Sequence, residues 1–104
     1  MSVPPRVLLA ALESAPEGDG SPELARALRD EGIEVIYAGV LGDAAEVVGA
    51  AVQEDPAVVA VSPADPGGVI AAALEGVEVV GFRTVQEGLE RVKMATVSRS
   101  RAPR

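Results

Sequence analysis

Apolar residues along the chain follow two periodicities that take turns. Four short runs have the length and the Val, Ile and Leu content of buried strands. They are Arg6-Val-Leu-Leu-Ala10, Ile33-Glu-Val-Ile-Tyr37, Val58-Val-Ala-Val-Ser62 and Val77-Glu-Val-Val-Gly81. Between them, apolar positions recur at helical spacing: Leu24, Ala27 and Leu28, then Val47, Val48, Ala51 and Val52, then Val69, Ile70, Ala73 and Leu74. Start signals precede these segments. Ser21-Pro22-Glu23 offers a capping hydroxyl, a proline in the first turn and an acid where the helix dipole favours one. Asp43 and Asp65-Pro66 open the second and third segments, and Thr84-Val-Gln-Glu87 is a capping box for a fourth helix to about Met94. Gly32, Asp55-Pro56 and Gly76 are the stops, and Gly88 is the weak point of the last helix.

Strand and helix thus alternate four times. That order specifies an α/β domain with a four-stranded parallel sheet, right-handed crossovers and helices on both faces. The third run is apolar at every position up to Ser62 and is expected at the centre, whereas Glu34 marks the second run as an edge. The expected strand order is 2-1-3-4. The domain is expected to span residues 1–94, and residues 95–104, without periodicity, are expected to form a flexible basic tail.

Composition narrows the chemistry. The 104 residues suffice for one core, and with no Trp, one Phe and one Tyr that core must be aliphatic. The absence of Cys removes disulfides and thiolate metal sites, and the absence of His removes imidazole as base or ligand. Carboxylate, hydroxyl, Lys and backbone chemistry remain. The formal net charge is -7, but residues 1–94 alone sum to -10, because Arg99, Arg101 and Arg104 lie in the tail. An acidic body repels nucleic acid and anionic membranes, so neither is expected as a partner. The apolar runs are far too short for a membrane span, and the first residues have no apolar leader, so a cytoplasmic location is expected.

Three longer segments carry a resemblance: RVLLA at 6–10, ARALRDEGIEVIYAG at 25–39 and VVGAAVQEDPAVVAVS at 47–62. Together they resemble, without a gap, the cobalamin-binding domain of methylmalonyl-CoA mutase and related acyl-CoA mutases, with a weaker likeness at 77–93. The resemblance implies a flavodoxin-like fold with the corrinoid across the carboxyl ends of the strands. It also implies a loop after the first strand with the pattern Asp-x-His-x-x-Gly, whose His replaces the cofactor's own base on cobalt and whose Asp orients that His. Here the Asp position is Ala15, the His position is Glu17, and Gly20 is retained. The family's Ser-x-Leu, which lines the slot for the displaced nucleotide tail, reads Ser62-Pro63-Ala64, and its last-strand Gly-x-Gly reads Gly81-Phe82-Arg83. Residues 63–76 stand where the family has a helix, a strand and a second helix.

These departures lead to the expectation of a non-catalytic module descended from a cobalamin-binding domain and acting through protein contacts. Ala15, Glu17, Gly20, Ser62, Ala64 and Gly81 are then vestigial corrinoid-site positions, with no bound cofactor, no catalytic residue and no metal. One alternative is a corrinoid-binding small subunit of an acyl-CoA mutase-type isomerase. A second is a small metal-dependent α/β enzyme using the acidic loop 13–19, with Glu13, Glu17 and Asp19. Gly18-Asp19-Gly20 faintly resembles a phosphate loop, but the acids around it oppose an anion, and Arg83 and Ser62 each have an ordinary surface or turn reading. A homodimer is expected, because losing a helix–strand–helix unit uncovers apolar sheet that a larger domain would bury.

Overall fold

The computed structural model describes residues 5–16, 18 and 20–100, with side chains described as far as Val97. The elements run β1 (Arg6–Leu12), α1 (Ser21–Asp30), β2 (Glu34–Leu41), α2 (Ala44–Glu54) and β3 (Val58–Ser62). A 3₁₀ turn (Pro66–Gly68), α3 (Val69–Ala73), β4 (Glu78–Gly81) and α4 (Val85–Ser100) follow. The four strands are parallel and ordered β2-β1-β3-β4, as the alternation of the sequence requires. Val7 is in register with both Val35 and Val58, and Val58 with Glu78, so the strand starts are level across the sheet.

Each face of the sheet carries its own core. Val7, Leu9, Val58 and Ala60 point towards α1 and α4 and meet Leu24, Leu28, Phe82 and Val92. Leu8, Ala10, Val59 and Val61 point the other way and meet Val47, Ala51, Ile70 and Leu74 from the α2 and α3 side. β3 is buried at all five positions, as its unbroken apolar run predicts, and β2 and β4 are the edges. No helix among the described residues is long and apolar enough to cross a membrane.

Several boundaries differ from expectation for local reasons. β1 continues to Leu12 and β2 to Leu41, past the expected ends at Ala10 and Tyr37. Gly39 sits in a register shift: Leu9 pairs with Tyr37 while Ala10 pairs with Gly39, so β2 accommodates one extra residue and goes on. Ser21 is not the cap of α1. Gly20 occupies that place, and Ser21 is buried in the first turn. Asp43 and Thr84 cap as expected, their side-chain oxygens accepting the N–H of Glu46 at 3.0 Å and of Glu87 at 3.1 Å. Asp65 accepts from the N–H of Ile70 and of Ala71, so α3 begins only at Val69, after the turn. α4 does not stop near Met94. It runs to Ser100 because Ala95 and Thr96 follow Val92 at helical spacing and are buried with it.

Candidate functional site

In an open parallel sheet, ligands settle outside the carboxyl ends of the strands, where the chain reverses its direction of winding. Here that reversal lies between β1 and β3: the chain steps outward from β1 to the β2 edge, then returns past β1 to β3 and β4. The strand ends there are Leu12, Leu41, Ser62 and Gly81.

A hollow of about 310 Å³ opens at the β1 and β2 ends, walled by Ala11, Leu12, Ala15, Pro16, Tyr37 and Val40. The register shift in β2 builds it. Leu9 and Ala11 share a face, and their partners across the shift are Tyr37 and Val40, which therefore stand together on the α1 side. Tyr37 is 38% exposed and Val40 is 65% exposed, so side by side they leave apolar surface open to solvent on this side of β2. Among the described residues Glu13 is the one charged residue lining the hollow, and Ser21 adds a hydroxyl.

Ser62 ends the central strand, in register with Ala11 of the hollow. Its alternation with Val58 and Ala60 turns its side chain to the α1–α4 face. The residue is wholly buried, and its Oγ has no hydrogen-bond partner. A buried hydroxyl without a partner costs about 1–3 kcal/mol, which marks a place where a ligand group would be welcome.

The structure brings some of the sequence-derived positions together. Gly81 lies against the segment after β3, so closely that a Cβ there would stand 2.9 Å from Ala64 Cα and 3.2 Å from the Pro63 carbonyl oxygen. Ser62, Ala64 and Gly81 thus form one corner. Ala15 lies in the hollow, and Gly20 packs against Val85 at the start of α4. Glu17, the position matching the cobalt ligand, lies outside the described residues, as does Asp19. Of the acidic trio considered for a metal, only Glu13 is described. Arg83 is exposed, and its backbone N–H donates to Glu87 Oε1 at 2.9 Å.

Sequence reasoning missed Phe82, Tyr37 and Val40. Phe82 follows β4 directly and is wholly buried between α1 and α4, filling that face of the sheet up to the strand ends. The sole Phe of the chain, next to the Gly81 already singled out, was a signal that could have marked it.

This surface fits part of a corrinoid site. The exposed Tyr37 and Val40, the apolar hollow and the unpaired Ser62 hydroxyl suit a broad, largely apolar ligand with polar groups at its rim. They do not supply an imidazole for cobalt, since the chain has none.

No family model matches the chain. It is 48% identical over 59 residues to the 2-hydroxyisobutanoyl-CoA mutase small subunit of Aquincola tertiaricarbonis, a stretch covering 57% of this chain and 43% of that protein. The chain therefore spans less than half the length of this relative. The match bears out the resemblance to the acyl-CoA mutases seen in residues 6–62. It also overturns the expectation that no cofactor is involved: a mutase small subunit as relative, for a chain resembling a corrinoid-binding domain, points to cobalamin. Of the readings drawn from the sequence, the small-subunit alternative is the better supported.

Proposed function

We propose that this chain is a cytoplasmic, corrinoid-binding small subunit of an acyl-CoA mutase-type isomerase, contributing the cofactor's bed and no catalytic side chain. The observation that carries this reading is the buried, unpaired Ser62 hydroxyl at the end of the central strand, in register with Ala11 of the exposed apolar hollow. The likeness to a mutase small subunit supports it independently.

Ala11, Leu12, Tyr37 and Val40 would lie under the corrinoid, and covering them would remove apolar surface from water. Ser62 is fully covered in the free protein, so its hydroxyl would donate a hydrogen bond to a carbonyl or ether oxygen of the cofactor only as binding shifts the residues over it. Gly81 and Ala64 hold the ends of β4 and β3 close enough to close that corner against solvent. When bound, cobalamin supplies a weak cobalt–carbon bond whose homolysis begins radical rearrangement of a carbon skeleton. The groups that recognise the acyl-CoA ester would come from a larger partner subunit. With no His in the chain, none of its side chains would supply an imidazole to cobalt, so this chain alone would leave the cofactor's own base undisplaced.

Titration with hydroxocobalamin tests this. The expected result is saturable binding, read as a rise in thermal stability, with the absorbance spectrum of the base-on cofactor. A base-off spectrum would overturn the assigned binding mode. Failure to bind both alone and with a mutase large subunit would overturn the function.

A further inference from the structure

We infer that two copies of this chain associate through the free edge of β4, in an antiparallel two-fold pairing set in register by Glu78 and Arg91. This goes beyond the corrinoid reading and does not depend on it.

β4 has β3 on one side and no strand on the other among the described residues. Glu78 and Phe82 donate their N–H groups to the Ala57 and Val61 carbonyls of the β3 side, both at 3.1 Å. In a parallel ladder the intervening residues turn the other way, so the N–H groups of Val79 and Gly81 face outward along the open edge. The edge has neither Pro nor Lys to blunt it, and Glu78 is its one charge. Beside it, on the α4 side, runs a groove of about 370 Å³ lined by Glu78, Val80, Glu90, Arg91, Met94 and Ala95. Met94 at its rim is 72% exposed.

Charge decides which occupant fits. Arg91 donates to the Gly81 carbonyl at 2.8 Å, which fixes its guanidinium at the far end of the strand and occupies that acceptor. Glu78 stands at the near end and has no ion-pair partner within the chain among the described residues. A second copy laid parallel would turn its α4 face to the other side of the sheet, where Glu78 of one copy meets no Arg91 of the other. Laid antiparallel about a two-fold axis through Val79, it pairs the outward groups of Val79 with those of its counterpart. Glu78 then falls opposite Val80 of the second copy, next to the Arg91 that holds Gly81 there. Both carboxylates and both guanidinium groups lie on the α4 face, so the pair forms twice. Such exposed pairs give register more than strength, while the strand hydrogen bonds and the covered Val80 and Met94 give the affinity.

Light scattering across a concentration series reads this directly. The expected species at high concentration has twice the 10.6 kDa chain mass. Glu78→Arg and Arg91→Glu should each raise the dimer dissociation constant about tenfold, since each turns two attractive pairs into repulsive ones. Val79→Pro removes the outward N–H and leaves the ladder to β3 intact, so it should give a monomer with an unchanged circular dichroism spectrum. A wild-type chain that stays monomeric into the millimolar range overturns the proposal. So does a dimer that Val79→Pro leaves whole, or one whose dissociation constant neither charge reversal raises.

Discussion

Ser62 holds a hydroxyl that folding has removed from water without giving it a partner. In the free protein that group is a cost, and in a ligand complex it becomes a donor. The two states therefore respond with opposite signs to its removal. Ser62→Ala should raise the stability of the free protein by about 1 kcal/mol, because an unpaired buried polar group disappears. It should also weaken hydroxocobalamin binding by about tenfold, the worth of one buried hydrogen bond. Chemical denaturation and spectral titration of the same variant check both halves, and a loss of stability without ligand would show the hydroxyl to be structural. The position was legible in the sequence, since Ser62 ends the one strand that is apolar throughout. Its missing partner was not, because that depends on which groups the folded chain brings over the end of β3. Tyr37 and Val40 were hidden for a related reason: residues three apart in a strand share a face only where a register shift intervenes, and the apolar run was expected to end at Tyr37.

Two glycines in helices show how packing between elements can reverse a local rule. Gly49 in α2 and Gly88 in α4 both interrupt helices that Ala would favour by about 1 kcal/mol. A Cβ on Gly49 would meet nothing within 4 Å, so Gly49→Ala should stabilise the protein by close to that amount. A Cβ on Gly88 would collide with Leu24 Cδ2 and approach Phe82 Cγ to 3.2 Å, and both of those side chains are wholly buried. Overpacking of that kind costs about 1–3 kcal/mol, which outweighs the gain in helix propensity. Gly88→Ala should therefore lower the melting temperature, by about 4–8 °C for each kcal/mol lost. Thermal unfolding of the two variants side by side should give shifts of opposite sign. Sequence periodicity located α4 and its cap, since Thr84 and Glu87 sit at capping-box spacing. The same pattern read Gly88 as a weak point, although Leu24 of α1 and Phe82 pack against it. The far end of α4 was missed because Ala95 and Thr96 carry little hydrophobic signal in the sequence, yet are buried with Val92.

Charge acts on the molecule as a whole. Sixteen acidic residues face nine basic ones, and all sixteen lie before residue 91. The structure gathers few of them into pairs. Arg6–Glu34, Arg91–Glu87 and Lys93–Glu31 are the ion pairs among the described residues, and in each both partners are about half exposed. Pairs of that kind contribute about 0–1 kcal/mol each. The remaining carboxylates repel one another across a body of only 38 × 28 × 20 Å. At roughly 10 mM salt the Debye length is about 30 Å, so a carboxylate at one end of the molecule acts on those at the other. At roughly 150 mM it falls to about 8 Å, and only near neighbours still interact. Unfolding lets like charges separate, so screening relieves the folded state more than the unfolded chain. The melting temperature should accordingly rise as sodium chloride goes from about 10 to about 150 mM, and then flatten. A protein held together by its surface ion pairs would show the reverse. A melting temperature that falls over this interval would mean that those three pairs, or contacts of the basic end of the chain with the acidic body, outweigh the repulsion.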